Sequence, residues 1–375
     1  MKILLVTPYY YPKIGGLENY ARQLALSLQR REGVEIVVVT SNDSGNNNVV
    51  EEIDGIKVYR LRRWFKVSNT PVNPLWVFGI KRIIHREQPD IIHAHTPVPA
   101  MADAAALASG NIPFVITYHA ATLEKAGSKA LALLTRIYQV FELFTLHRAL
   151  IIFAVSDYVK QQLPSRMQSK VIVVPNAVWA DQIVAREQPT KEQFIFIGSL
   201  DETHSWKGLS ETIRAIREYK NRFKTEPQLI VVGDGNSRHK YEQLTNELDL
   251  RQNVIFVGTQ TGKSKDDLLS ASLALIAYPT SGNDAFPTVF LEAWSRGVPV
   301  ITAAIGPIPS LVDDEINGYL VAPNNPGALA DTMHKVLNNN RQRGQVAQYS
   351  AKLVKTNYTW ERQASSMAKH LGALL

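Results

Sequence analysis

Residues 281–303, SGNDAFPTVFLEAWSRGVPVITA, begin in turn residues, continue as a helix-like apolar run and close on the β-branched run VPVITA. The run LALIAYPT (273–280) lies just upstream, so 273–303 reads as strand, loop, helix and strand. That alternation recurs on both sides, through FIFIGS (194–199), QLIVVGDG (228–235), VIFVG (254–258) and GYLVAP (318–323). An earlier series has the same form: KILLVT (2–7), EIVVVT (35–40), IIHAH (91–95), FVITYH (114–119), IIFAVS (151–156) and KVIVVPN (170–176). Between the two series lies WADQIVAREQPTKEQ (179–193), polar and without period, which reads as a linker. The expected class is α/β, with two Rossmann-like domains facing a central cleft.

At 375 residues the chain exceeds one ordinary core, in line with two domains. Hydrophobic residues at 45% and charged residues at 20% fit a soluble globular protein. No run reaches the roughly 18 apolar residues of a membrane span, and MKILLV is too short for a signal sequence and reads as a buried strand. With no cysteine, disulfides, thiolate metal sites and a cysteine nucleophile are excluded. The expected placement is the cytoplasm. Residues 1–188 carry 21 Lys/Arg against 15 Asp/Glu, an excess that suits phospholipid headgroups or phosphate-bearing substrates. No nucleic-acid motif accompanies the charge, so no nucleic-acid partner is expected.

In open α/β sheets ligands bind beyond the carboxyl ends of the strands, so the loops after each apolar run hold the candidates. After the first run, Gly15-Gly16 permits close backbone approach to a ligand at the start of an amphipathic helix. It is not GxGxxG, which argues against dinucleotide binding. His93, His95 and His119 stand at strand ends, with His93 and His95 on one face at period two. No nearby carboxylate completes a zinc ligand set, so no metal is expected. His119 reads as a polar group aimed at a sugar, and His95 as structural. Lys207-Gly208, entering a helix, suits a diphosphate. In VIFVGTQTGKSKDD only three residues separate Gly258 from Gly262, where a P-loop needs four, so an NTPase is not expected.

In the opening stretch, Pro287 suits the first helical position, with the helix running through Glu292 to Arg296 and ending at Gly297. Amides at its start, such as that of Thr288, can receive phosphate oxygens. Glu292 lies on the order of 8 Å further along the axis, and Asp284 lies beyond the other side of the phosphate position. One acid can then grip a ribose and the other a sugar; a general acid/base pair is the competing use of the same two residues.

Taken in order, the GG loop, the TYH of 117–119, VVPNAV (173–178), Lys207-Gly208, VVGDG (231–235) and the acid-x7-acid element ending EAWSRG resemble the family-4 retaining glycosyltransferases of the GT-B fold. The resemblance spans nearly the whole chain. It implies an acceptor-binding domain over 1–180, joined by a C-terminal helix (359–375) that crosses back to it, and a nucleotide-sugar-binding domain over 190–358. It further implies that His119, Asp284 and Lys207 act at the reacting sugar. The donor contacts it implies are Gly16, Ser199, Lys207, Gly233, Val257, Asp284, Phe286, Pro287, Thr288 and Glu292. Glu292 would take the ribose hydroxyls, Asp284 the donor sugar hydroxyls, the amides from Phe286 to Thr288 the diphosphate, and Lys207 the leaving-group charge. No metal and no cofactor beyond the nucleotide-sugar co-substrate, a UDP-sugar ahead of a GDP-sugar, is implied, and no DxD triplet occurs.

The transferred hexose would go to a saccharide or lipid-linked acceptor. Two positions depart from the family pattern: Ser199 stands where an arginine is usual, and Asp284 where a glutamate is usual. A nucleotide-sugar epimerase or phosphorylase of the same fold, or a non-catalytic scaffold, are the alternatives. RLRRWFKV (60–67) mixes four cations with Trp64 and Phe65, and KALALLTRIYQVFELFTLHRAL (129–150) has an amphipathic period with basic residues. Either could seat the protein on an anionic membrane surface at the inner face of the plasma membrane.

Overall fold

Runs such as KILLV are apolar on both faces, as a strand covered by helices on each side requires. In a computed structural model of the protein, residues 1–13, 15–43, 45–67, 70–119, 129–184, 189–223 and 226–375 are described, without the side chains of 129–137. They form two units, Met1–Asn176 with Trp360–Leu375, and Ala177–Thr359.

The strands of the first unit are β1 (Lys2–Val6), β2 (Glu35–Asn42), β3 (Val49–Ile53), β4 (Ile56–Arg62), β5 (Phe65–Val67), β6 (Thr70–Val72), β7 (Ile91–Thr96), β8 (Phe114–Tyr118), β9 (Ile151–Ala154) and β10 (Val171–Val173). Its helices are α1 (Gly16–Gln29), α2 (Trp76–Glu87), α3 (Met101–Ala108), α4 (Lys129–Arg148) and α5 (Asp157–Gln162). The main sheet runs β10-β9-β8-β7-β1-β2-β4-β3, parallel except for β3 against β4. From β1 the chain adds β2 on one side and later β7 on the other, so the order reverses between β1 and β7. Ile3 to Val6 are fully buried, and α1 packs Tyr20, Ala21, Leu24, Ala25 and Leu28, spaced as one helical face.

The β3–β4 hairpin and the small β5–β6 sheet are additions to the expected strands. VVEEI escapes the apolar pattern because β3 is an exposed edge. The turn nevertheless carries a local signature: Asp54 and Gly55 both take positive φ, 55° and 75°, as a two-residue hairpin turn requires.

The second unit contains β11 (Gln193–Ile197), α6 (Leu209–Phe223), β12 (Gln228–Val232), α7 (Arg238–Glu247), β13 (Val254–Phe256), α8 (Gly262–Ala271), β14 (Ala274–Ala277), α9 (Thr288–Ser295), β15 (Val300–Ala303), β16 (Tyr319–Val321), α10 (Pro326–Asn338) and α11 (Asn340–Asn357). Its sheet, β13-β12-β11-β14-β15-β16, is wholly parallel and reverses order between β11 and β14. The chain then returns to the first unit as α12 (Trp360–Gly372), where α12 packs on α1 and Trp360 meets the Tyr20 ring edge-on at 5.3 Å. Of the expected linker, Ala180–Gln182 form a short 3-10 turn, and residues 185–188 lie outside the described residues. Pro287 is not the first helical residue: its ψ of 99° is extended, so it caps α9, which starts at Thr288 and ends at Ser295, with Arg296 as the C-cap before Gly297.

Candidate active site

In the second unit the sheet reverses between β11 and β14, the position where an open α/β sheet leaves a crevice. Two glycines let the loops converge there. Gly233 (φ 142°) approaches Gly198 so closely that a Cβ would lie 1.8 Å from the Gly198 carbonyl oxygen. Gly208 (φ 78°) sits equally tightly against the Tyr278 carbonyl, at 1.7 Å. The Gly208 turn ends the 3-10 helix Glu202–Lys207 and begins α6, which brings Lys207 beside the end of β11. A cavity of about 40 Å3 opens at this junction, lined by Trp206, Lys207, Asp284, Pro287 and the apolar side chains of Phe196, Val289 and Ile308.

Asp284 is half-buried, and burial pushes its carboxyl above the usual range despite the opposing Lys207 charge and the Phe286 and Ala285 amides. The Phe286 N–H donates to Asp284 Oδ1 at 3.1 Å. That amide, expected to hold a diphosphate, is therefore already engaged, and Pro287 has no N–H to offer. The Thr288 and Val289 amides that open α9 have no acceptor among the described residues, as the first turn of a helix leaves them. Glu292, one turn further, receives Lys265 Nζ of α8 at 2.9 Å. Beside it Asp266 pairs with Arg296 at 2.6 Å, so adjacent residues of α8 tie to α9 one turn apart.

Ser199 Oγ closes a turn with Asp201, donating to Oδ2 at 3.0 Å and accepting its N–H at 3.2 Å. Val257 is committed on both backbone groups, its N–H to the Val231 carbonyl and its carbonyl to Gln260 Nε2. Lys263 pairs with Asp267 on the surface. Trp206 and Lys265 were not among the expected residues. Trp206 had a local signal in its position beside Lys207, whereas the 27-residue separation of Lys265 from Glu292 carries none.

In the first unit Gly15 caps α1 in extended backbone, and a Cβ on it would stand 2.2 Å from Glu18 Oε2. Gly16 has nothing within 4 Å of such a Cβ, which leaves open space at the helix start. Nearby, Tyr9, Tyr10, Pro12, Lys13, Ser41, Asp43 and Arg60 line a cavity of about 250 Å3. Asp43 there faces Lys13 at 3.8 Å, Arg63 at 3.4 Å and Lys66.

The three histidines form a ladder. His93 and His95, fully buried, stack at 5.1 Å, and the His95 and His119 rings lie edge to edge and nearly coplanar, with centroids 5.0 Å apart. His93 Nε2 lies 2.7 Å from Thr117 Oγ1, and His95 Nδ1 lies 2.8 Å from His119 Nε2. Burial pulls His93 and His119 down to about 3 and His95 well below its ordinary value, and the neighbouring imidazoles push His95 and His119 the same way. All three rings are therefore neutral at pH 7. His95, read as structural, touches His119 directly.

The family model for "Glycosyl transferases group 1" matches residues 179–353, and that for "Glycosyltransferase Family 4" matches residues 14–182. The chain belongs to family 4 of the glycosyltransferases. Over 397 residues it is 26% identical to an uncharacterized glycosyltransferase of Methanocaldococcus jannaschii, covering 97% of this chain and 96% of that one. A phosphatidyl-myo-inositol mannosyltransferase of Mycobacterium leprae is 25% identical over 376 residues, covering 98% and 96%. Among solved structures, HepE of Anabaena in complex with UDP superposes with a TM-score of 0.77 at 19% identity, over the full length of both chains. The two parallel-sheet units are those of a GT-B glycosyltransferase.

In this glycosyltransferase the two departures from the family pattern have local consequences. Ser199 turns back on Asp201 and brings no positive charge to the end of β11. Asp284, one methylene shorter than the usual glutamate, folds onto the amide two residues ahead of it.

Proposed function

We propose that the protein is a retaining, metal-independent hexosyltransferase that takes its sugar from a nucleotide-sugar, a UDP-sugar first, and passes it to a saccharide or lipid-linked acceptor in polysaccharide or glycolipid assembly. The observation that carries this reading is the junction of β14 and α9, where Lys207, Asp284 and Val289 line one small cavity and the amides of Thr288 and Val289 at the start of α9 have no acceptor among the described residues. A cation and a helix start suit a diphosphate, and they supply without a metal the charge stabilisation that a departing diphosphate needs. Glu292, steadied by Lys265, is the carboxylate for the ribose hydroxyls. Asp284 and His119 are the groups for the transferred sugar.

In the reaction the bond from the anomeric carbon to the diphosphate oxygen breaks, and the acceptor oxygen bonds the same carbon on the same face. The acceptor proton passes to a phosphate oxygen of the leaving group. Lys207 and the helix start hold the developing negative charge, and positioning does the remainder, so no side-chain nucleophile is needed. The UDP held by HepE supports a UDP-sugar, and the mannosyltransferase relative supports a lipid-linked acceptor. The cavity beside Tyr9, Lys13 and Asp43 is the candidate acceptor pocket. No helix among the described residues is long and apolar enough to cross a membrane. A lipid-linked acceptor would be met by peripheral contact of the first unit with an anionic leaflet.

The test is a panel of UDP-, GDP- and ADP-sugars with the wild type, Glu292→Ala and Asp284→Ala, following thermal shift and release of free nucleotide with and without chelator. Stabilisation and chelator-insensitive release with one donor, with affinity about 10- to 100-fold weaker for Glu292→Ala, is the expected outcome. No response to any nucleotide would overturn the reading. Binding of free nucleotide with no release from any donor, even with acceptors added, would leave a non-catalytic scaffold.

A further inference from the structure

His95 is the penultimate residue of β7, its ring fully buried and Nδ1 2.8 Å from His119 Nε2. Its other nitrogen, Nε2, is buried with no hydrogen-bond partner among the described residues. His119 itself is half-buried, and its Nδ1 has no partner among the described residues. Tyr20 packs edge-on against the His119 ring at 4.7 Å, and the His95 ring lies nearly parallel to it at 14°. The ring is thus held in place, and the open variable is the position of its proton.

Two neutral imidazoles share the one proton between them in two ways. If His119 donates from Nε2, His95 must carry its own proton on Nε2, where a buried N–H finds no acceptor among the described residues. If His95 donates from Nδ1, its bare Nε2 is only an unfilled acceptor, the better tolerated of the two defects. His93 fits the same pattern: Nε2 reaches Thr117 Oγ1, and Nδ1 is the buried nitrogen left without a partner among the described residues.

We propose that His95 is a positioning residue that donates its Nδ1–H to His119 Nε2 and so fixes His119 in the tautomer that presents Nδ1–H to the ligand. His119 is then a hydrogen-bond donor, matched to an acceptor oxygen on the transferred sugar or on its phosphate link. Without that bond, Nδ1 would be free to switch between donor and acceptor. The role of His119 toward the sugar rests on the transferase reading above, whereas the tautomer does not.

The experiment therefore has two arms. In the full-length protein labelled with 15N-histidine and without ligand, His119 Nδ1 should give the N–H-type shift and Nε2 the unprotonated one. His95→Phe keeps an aromatic ring in the buried site without the donor and should move His119 toward the Nε2–H form. His95→Asn places an amide nitrogen near the former Nδ1 and should restore the original pattern. With the donor found by screening, His95→Phe should lower kcat about tenfold with free-nucleotide affinity unchanged, and His95→Asn should recover most of it. An Nε2–H signal for His119 in the wild type overturns the proposal whatever the donor, and does so even if neither variant folds. The expected tautomer combined with wild-type kcat in a folded His95→Phe overturns its functional half. If no donor is turned over at all, the transferase reading fails and the tautomer result still stands or falls by itself.

Discussion

Gly208 combines a left-handed backbone with a carbonyl 1.7 Å from where a Cβ would sit, and both penalties act on the residue that delivers Lys207. Gly208→Ala should cost at least about 2 kcal/mol, read as a lower urea midpoint, and should weaken donor-induced stabilisation. Gly16→Ala, with open space around it, should leave the midpoint within about 0.5 kcal/mol of wild type. At this scale the sequence made residue identities legible: a lysine beside a glycine at a helix entrance, and two acids flanking a helix start. It left unread which atoms each would engage. Asp284 reaches the Phe286 amide because its side chain is short, and Ser199 closes on Asp201 because a hydroxyl suits that turn; both are contests between nearby hydrogen bonds.

Of the two elements expected to meet a membrane, the one around β5 shows the clearer surface. Trp64, Phe65 and Val67 are exposed, as are Leu75 and Phe78 where α2 begins, and Lys81, Arg82 and Arg86 are exposed further along α2. Hydrogen bonds from the Trp64 amide to Val72 and from Trp76 Nε1 to Arg62 hold these segments together. The double variant Trp64→Ser/Phe78→Ser should reduce co-sedimentation with anionic vesicles by about tenfold or more, and raised salt should weaken wild-type binding. Binding indifferent to both would remove the membrane role. The second element, α4, reverses the simple amphipathic picture over its described half: Val140, Phe141 and Phe144 face outward while Glu142 and Thr145 are buried. An apolar period locates a helix face without saying which side its neighbours will cover; the side chains of 129–137 lie outside the described residues.

Across the whole molecule, buried titratable groups give stability a pH dependence of mixed sign. Burial raises Glu142 to about 7, against the Tyr118 hydroxyl that donates to it at 2.8 Å and with the Asp103 charge adding to the rise. The folded state holds this proton after the unfolded chain has lost it near 4.5, so stability falls as pH rises between those values, by on the order of 3 kcal/mol. The histidine ladder acts oppositely, because below about 6.5 the unfolded chain binds protons that the buried rings refuse. A substitution isolates the first effect: Glu142→Gln should match the wild-type Tm near pH 4 and exceed it above pH 7.5, and equal values at both pH values would refute the assignment. From its sequence alone, the protein is determined to be two βα series with candidate residues after the strands, because helix and strand periods and turn residues act over short stretches of chain. Tertiary structure alone decided that Lys207 meets Asp284, that Lys265 holds Glu292 and that His95 reaches His119. The physical reason is that strand order and crossover packing choose which loop ends become neighbours, and an apolar pattern reports that a face is buried without naming what buries it.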